Sequence, residues 1–128
     1  MKNVLLAQSL APALALALGL IATAANAADP FLDGAYGNKG GCLFAKSGDP
    51  GDDDTFFTLD DDGITTSEMT CDFTANATKT ANGYSVPAQC DADGEDTKRG
   101  TATLAFSDKG YAITLPGGKT WGPYPKCQ

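Results

Sequence analysis

The sequence contains no histidine, and its four cysteines include no C-x-x-C pair. The absence of histidine excludes Ser-His-Asp and Cys-His catalysis, and it removes the usual general base. Zinc sites need histidines or closely spaced cysteines, so no zinc centre is indicated. Paired carboxylates of the glycosidase type remain available, because acidic residues are plentiful. We therefore expect a protein without enzymatic activity, and an exported acid hydrolase ranks third among the functions considered.

The first 27 residues have the pattern of a cleavable secretory signal. Lys2 is the only charged residue among the first 28, the apolar run 10–22 follows, and Ala25-Asn26-Ala27 supplies the small residues that signal peptidase requires. The run is short and no basic stop-transfer cluster follows it, which disfavours a retained membrane anchor. We expect a signal peptide at 1–27, a mature chain of residues 28–128, no membrane association after cleavage, and a periplasmic or extracellular location.

Positive charge is scarce in the mature part. The whole chain has nine Lys and Arg, sixteen Asp and Glu, and a formal net charge of -7. Removing Lys2 with the signal leaves eight basic residues and a net charge of -8. Such a field repels nucleic acid and anionic membranes and favours cationic partners or metal ions. Residues 28–128 suffice for a single domain with a modest core.

All four cysteines lie in the mature part, and an even number in a short exported chain indicates two disulfides. The runs 64–73 and 84–90 alternate apolar and polar residues, as strands with one buried face do. A hairpin between these runs that pairs 73 with 88 also places Cys71 opposite Cys90. Cys42 then pairs with Cys127 by elimination, although sequence alone leaves the other two connectivities open.

Short runs rich in threonine and aromatic residues, separated by Gly, Asp and Asn, are typical of a β domain. The candidate strands are 35–36, 43–45, 56–59, 64–73, 84–90, 101–106 and 111–115. Exposed connections are predicted at 46–54 and 76–82, and turns at 60–63 and 107–110. Because each strand has one apolar face to bury, we predict an all-β fold, a small antiparallel barrel or sandwich of about six short strands held by two disulfides.

Two acidic segments, 60–63 and 91–96, contain the D-x-D-G core of EF-hand loops. The candidate Ca²⁺ ligands are the aspartates of these cores: Asp60, Asp62, Asp91 and Asp93. The first and last ligand positions of an EF-hand loop are not matched, and polar β-turns are the alternative interpretation. Apart from Ca²⁺, no cofactor is predicted.

Two further segments are candidates for binding a partner. The acidic run Asp52, Asp53 and Asp54 lies in a predicted loop and would attract a cationic surface. Trp121 and Tyr124 lie in a segment with two prolines close to Cys127. That segment is either an exposed aromatic platform for a protein or glycan, or a tail whose tryptophan closes one end of the barrel.

The order of these features resembles that of small four-cysteine exported proteins of Gram-negative bacteria. The features that carry the resemblance are Gly34-Ala35-Tyr36, Cys42, the acidic turn with Gly63, Cys71-Asp72-Phe73, the run 84–90 followed by Gly94-Glu95, and Cys127. The resemblance implies an exported location and disulfides. In size, compartment and β content the chain is also similar to periplasmic inhibitors of lysozymes and proteases, which is a likeness of architecture alone.

The function predicted from these observations is a non-enzymatic binding or inhibitory module. Its acidic loops would face a cationic or enzymatic protein partner, and nucleic acid is not expected as a ligand. The alternative is a structural domain that binds Ca²⁺ or is stabilised by it.

Overall fold

A computed structural model describes residues 29–128. The predicted signal peptide, 1–27, lies outside these residues, so its cleavage stays a prediction. The described part contains nine antiparallel strands and one helix. Their bounds are β1 Tyr36–Gly37, α1 Lys39–Ser47, β2 Phe57–Leu59, β3 Gly63–Thr66, β4 Met69–Phe73, β5 Thr78–Thr80, β6 Gly83–Ala92, β7 Lys98–Ser107, β8 Gly110–Thr114 and β9 Thr120–Tyr124.

The strands form one sheet in the order β1-β2-β3-β4-β6-β7-β8-β9, with the short strand β5 added to β6. The sheet curls until its two ends nearly meet. Tyr36 forms an isolated bridge with Lys126, and the amide of Gly37 donates to the carbonyl of Pro125 at 3.0 Å. The protein is therefore a nearly closed antiparallel barrel, which confirms the predicted class and leaves little unpaired strand edge.

The predicted number of about six strands is wrong, and one reason is that the run 64–73 is not one strand. It breaks at Ser67 and Glu68 into β3 and β4, which pair with each other. The hydroxyl of Thr66 accepts hydrogen bonds from the amides of Glu68 at 3.2 Å and Met69 at 3.0 Å, and this local bonding stabilises the turn. The connection predicted at 76–82 also contains β5, and the aromatic tail contributes β9.

The predicted strand at 43–45 is also wrong, since these residues belong to helix α1. Asn38 caps the helix: its side-chain oxygen accepts from the amides of Gly41 at 2.9 Å and Phe57 at 3.0 Å. The same side chain donates to the carbonyl of Thr55 at 2.9 Å. At the other end Gly48 adopts a left-handed conformation, with φ of 77°, and its amide closes on the carbonyl of Phe44 at 2.8 Å.

The close approach of α1 to β2 depends on Gly41. A Cβ atom at this position would lie 1.7 Å from the carbonyl oxygen of Phe57, which no side chain can tolerate. Phe44 on the helix stacks against Phe56 with a centroid distance of 5.0 Å. Gly40 and Gly41, which lie between the candidate strands 35–36 and 43–45, therefore permit a helix to lie directly on a strand.

The core fills the inside of the barrel, and aromatic side chains meet there across the junction between the two ends of the sheet, β1 and β9. The ring of Phe57 on β2 lies 4.7 Å from that of Tyr124 on β9, and Tyr36 meets Tyr111 edge to face at 4.8 Å. The largest fully buried side chains are Phe57, Leu59, Ile64, Leu104, Ile113, Val86 and Cys71. Burial of this apolar surface is the main source of stability for a domain of this size.

Two disulfides join the four cysteines. Cys71 pairs with Cys90 across β4 and β6, where residue 73 also opposes 88, as the hairpin register predicts. Cys42 on α1 pairs with Cys127 in the tail and so links the helix to the seam between β1 and the tail. Two disulfides are compatible with an exported protein. Among residues 29–128, no helix has the length and apolar character needed to cross a membrane.

Candidate functional site: the mouth of the barrel

Successive strands alternate in direction, so successive connections lie alternately at one end of the barrel and at the other. We call one end the mouth; it carries the segments 38–56, 67–68, 93–97 and 115–119. We call the other end the base; it carries the turns 60–62 and 108–109, the connection around β5, and the two ends of the described chain. The mouth thus collects the longer acidic loops.

A groove of about 490 Å³ opens at the mouth. Its apolar lining comes from the ends of three strands and the turn before β9, and includes Met69, Ala92, Leu115, Pro116 and Trp121. Four acidic and two basic side chains contribute the charged part of the lining: Glu68, Asp93, Glu95, Asp96, Lys98 and Lys119. We call this site, with these residues, the mouth groove. An apolar pocket with a few charged groups at a barrel mouth is a common form of ligand site.

Trp121 packs at the inner side of the mouth groove. It lies opposite Ile113 in the pairing of β8 with β9, and its ring centroid is 5.6 Å from that of Phe57. Its indole Nε1 is buried and finds no acceptor within residues 29–128. The ring therefore closes one end of the barrel, as one of the two sequence interpretations held, while part of its surface stays accessible from the groove.

Tyr124 does not form an exposed platform with Trp121. It is partly buried against Phe57 and is not part of the mouth groove. Burial, followed by the nearby charge of Asp53, raises the pKa of the Tyr124 phenol above its usual value. Tyr124 thus contributes to the core more than to any outward-facing surface.

Most carboxylates in the lining of the groove form no ion pair with a described residue. Glu95 lies 3.9 Å from Lys98, but both side chains are mostly exposed, so this ion pair contributes little. Within the described residues, no ion pair engages the carboxylates of Glu68, Asp93 or Asp96. These three groups are the ones available to meet a positively charged ligand.

The run Asp52 to Asp54 also lies at the mouth, but its members differ. The carboxylate of Asp53 accepts from the amide and the hydroxyl of Thr55 at 2.8 and 3.0 Å and lies against Gly40 in the first turn of α1. A negative charge at a helix N-terminus is favourable, so Asp53 has a structural role. Of the three aspartates predicted to bind a partner, only Asp52 and Asp54 are therefore exposed to solvent.

The carboxylates of the turn 60–63 hold local structure at the base. Asp60 accepts from the amides of Asp62 at 2.9 Å and Gly63 at 3.1 Å, which is the polar turn expected as the alternative to a Ca²⁺ loop. Asp61 accepts from the amides of Phe31 and Leu32, both at 2.8 Å. This carboxylate therefore anchors the start of the described chain to the barrel.

The four candidate Ca²⁺ ligands do not come together. Asp60 and Asp62 lie at the base, whereas Asp91 and Asp93 lie towards the mouth, at the other end of β4. Asp91 accepts a hydrogen bond from the hydroxyl of Thr97. Within residues 29–128, no group of three or more acidic, cysteine or histidine side chains is arranged to hold a metal ion. The unexpected turn at Ser67 and Glu68 separates the two pairs, because an unbroken strand 64–73 would have brought both to one end.

A small polar cluster at the base was not foreseen from the sequence. The phenol of Tyr36 donates to Asp33 at 2.5 Å, and the ammonium of Lys126 lies 3.1 Å from the same carboxylate. The hydrogen bond from Tyr36 and then the one from Lys126 lower the pKa of Asp33, while burial and Asp33 raise the pKa of Tyr36. Asp33 and Lys126 are far apart in sequence, so no local sequence pattern predicts the cluster. The cluster joins the tail to the seam beside β1.

The comparisons with known proteins returned no matching family model, no matching curated protein and no matching solved structure. The resemblance to four-cysteine exported proteins therefore stays an expectation, and the mouth groove is interpreted from its own geometry.

Proposed function

We propose that the protein is an exported, non-enzymatic binding module whose mouth groove takes a cationic segment of a protein partner. The observation that carries the proposal is the mouth groove itself, a cavity of about 490 Å³ with an apolar lining and a surplus of carboxylates over lysines. The apolar surface supplies contact area, and the carboxylates select for positive charge.

The placement of charge at the mouth supports this direction of binding. The loop with Asp52 and Asp54 stands at the same end of the barrel as Glu68 and the segment 91–96. Carboxylates grouped around a concave apolar surface focus a negative field and raise the rate of encounter with a cationic partner. A basic enzyme whose active site is covered by the mouth would be inhibited by such contact, and in that case the binding role includes the inhibitory one.

The proposal is tested with two variants that remove the same charge from opposite ends of the barrel. The mouth variant carries Glu68→Gln, Asp93→Asn and Asp96→Asn. The base variant carries Asp62→Asn, Asp72→Asn and Asp108→Asn, all at exposed positions. The probe is a fluorescently labelled peptide of alternating arginine and glycine, and its affinity is measured by anisotropy with the disulfides intact.

We expect the mouth variant to weaken binding of the peptide about tenfold, since three charge contacts of roughly 0.5 kcal/mol each are lost. In the base variant, the loss of binding free energy should be less than half of the loss in the mouth variant. The difference should shrink as salt rises, because the Debye length falls to about 8 Å at physiological ionic strength. Equal losses in the two variants would mean that net charge alone attracts the peptide, and the mouth would then not be the site.

A further inference from the structure

We infer that Lys119 is an internal occupant of the mouth groove, and that an arginine side chain of the partner binds by displacing the Lys119 ammonium from the face of Trp121. The inference rests on the proposed function and names the chemistry of the group that enters the groove. It is carried by the contact between Lys119 and Trp121.

The Lys119 Nζ atom lies 4.2 Å from the centroid of the Trp121 ring. This is well inside the roughly 6 Å over which a cation is attracted to an aromatic face. Lys119 lies at the end of the turn that leads into β9, two positions before Trp121, and this is close enough for its side chain to lie over the ring. The accessible face of Trp121 is thus a cation site, and the protein fills it with its own lysine.

The occupant is weakly held. Lys119 is exposed, and the described residues give it no ion pair with a carboxylate. The backbone around it is fixed by hydrogen bonds between the Leu115 amide and the Lys119 carbonyl at 2.8 Å, and between Gly118 and Leu115 at 2.9 Å. Displacement therefore needs only a change of side-chain rotamer. It needs no rearrangement of the turn.

An arginine fits the vacated position better than the lysine does. The guanidinium group is planar, is less strongly hydrated than an ammonium, and stacks on aromatic rings while its edge donates hydrogen bonds. Seated on Trp121, it would have the uncommitted carboxylates of the groove lining within the same cavity. The ammonium of Lys119 interacts with these carboxylates less well than a guanidinium would. It acts as a point charge, whereas a guanidinium can donate two parallel hydrogen bonds to one carboxylate.

Trp121 is the only tryptophan in the chain, so its fluorescence reports on the site directly. The probe is Nα-acetyl-arginine amide, and Nα-acetyl-citrulline amide is the neutral control of nearly the same shape. Three proteins are titrated in oxidised form: the unmodified chain, Lys119→Met and Lys98→Met. Lys98 lines the same groove but is paired with Glu95, so its loss removes the same charge without freeing Trp121.

We expect the arginine probe to change the Trp121 emission saturably in the unmodified protein and the citrulline probe to have little effect. Lys119→Met should tighten binding of arginine about two- to fivefold, the factor that an exposed cation–π contact represents. Lys98→Met should have a clearly smaller effect. Thermal melting checks that each variant is folded, and Lys119→Gln replaces Lys119→Met if the latter is not.

Equal effects of the two lysine substitutions would overturn the inference, because net charge would then explain both. A loss of affinity in Lys119→Met would overturn it as well. If the arginine probe leaves the emission unchanged but the labelled peptide still binds at the mouth, the inference fails and the proposed function stands. If the labelled peptide does not distinguish the mouth variant from the base variant, the proposed function itself fails.

Discussion

Replacing Asn38 with alanine should be among the most destabilising changes of a polar side chain in this protein. One partly buried amide makes three hydrogen bonds, to Gly41, Phe57 and Thr55, and so joins the first turn of α1 to β2. Each bond contributes about 0.5–1.5 kcal/mol net, and loss of a helix cap costs about 1 kcal/mol. We expect Asn38→Ala to lower the free energy of unfolding by about 2–4 kcal/mol, and the melting temperature by roughly 10–25 °C.

Chemical denaturation with the disulfides intact measures this effect, and the slope of the transition checks that it stays two-state. Asn38→Asp keeps the acceptor for the two amides but loses the donor to Thr55, so it should cost only about 1 kcal/mol. Asn82→Ala, at an exposed position, is the matched control and should stay within about 0.5 kcal/mol of the unmodified protein. If Asn38→Ala and Asn82→Ala cost the same, the attachment of α1 is not as described.

Two further predictions concern packing and pH. Gly41→Ala should destabilise by about 3 kcal/mol in the same denaturation assay, although alanine normally favours a helix, because its Cβ atom would collide with the carbonyl of Phe57; a neutral or stabilising result would refute the close approach. Burial raises the pKa of three phenols above 10.0, so unfolded tyrosine loses its proton first and stability should fall as pH rises above about 10. Absorbance titration of the folded protein should show their delayed ionisation, and ionisation of every tyrosine near pH 10 would contradict it. The three are Tyr36, Tyr111 and Tyr124.

Alternation of apolar and polar residues predicted the strands whose neighbours are close in sequence. The pairing of Cys71 with Cys90 and the hairpin of β7 and β8 both follow from this pattern, because one buried face fixes the register. Gly110 adopts a φ of 108° in that hairpin, as a glycine at a turn position allows.

Helix α1 was not predictable from its own residues. Gly40 and Gly41 disfavour a helix, and the cap on Asn38 is completed by the Phe57 amide, 19 positions further along the chain. Such a helix is stable because of what it packs against. The residues of the segment 39–47 alone carry no information about strand β2, against which the helix packs.

The mouth groove could not be predicted because its position depends on the number of strands. A single turn at Ser67 and Glu68 reverses the direction of the chain, and every later loop changes ends with it. The spacing of Lys119 and Trp121 was the one local signal, because a lysine two positions before a tryptophan can place its ammonium over the ring.

Binding of a cationic ligand in the mouth groove can be observed directly by nuclear magnetic resonance titration of the isotopically labelled protein with the arginine-glycine peptide. We expect the single indole N–H signal of Trp121 to shift, together with the backbone amides of 67–69, 92–96, 115 and 117–119, while those of the base turns 60–62 and 108–109 stay unchanged. Shifts confined to the base, or to Asp52 and Asp54 with Trp121 unaffected, would contradict binding in the mouth groove.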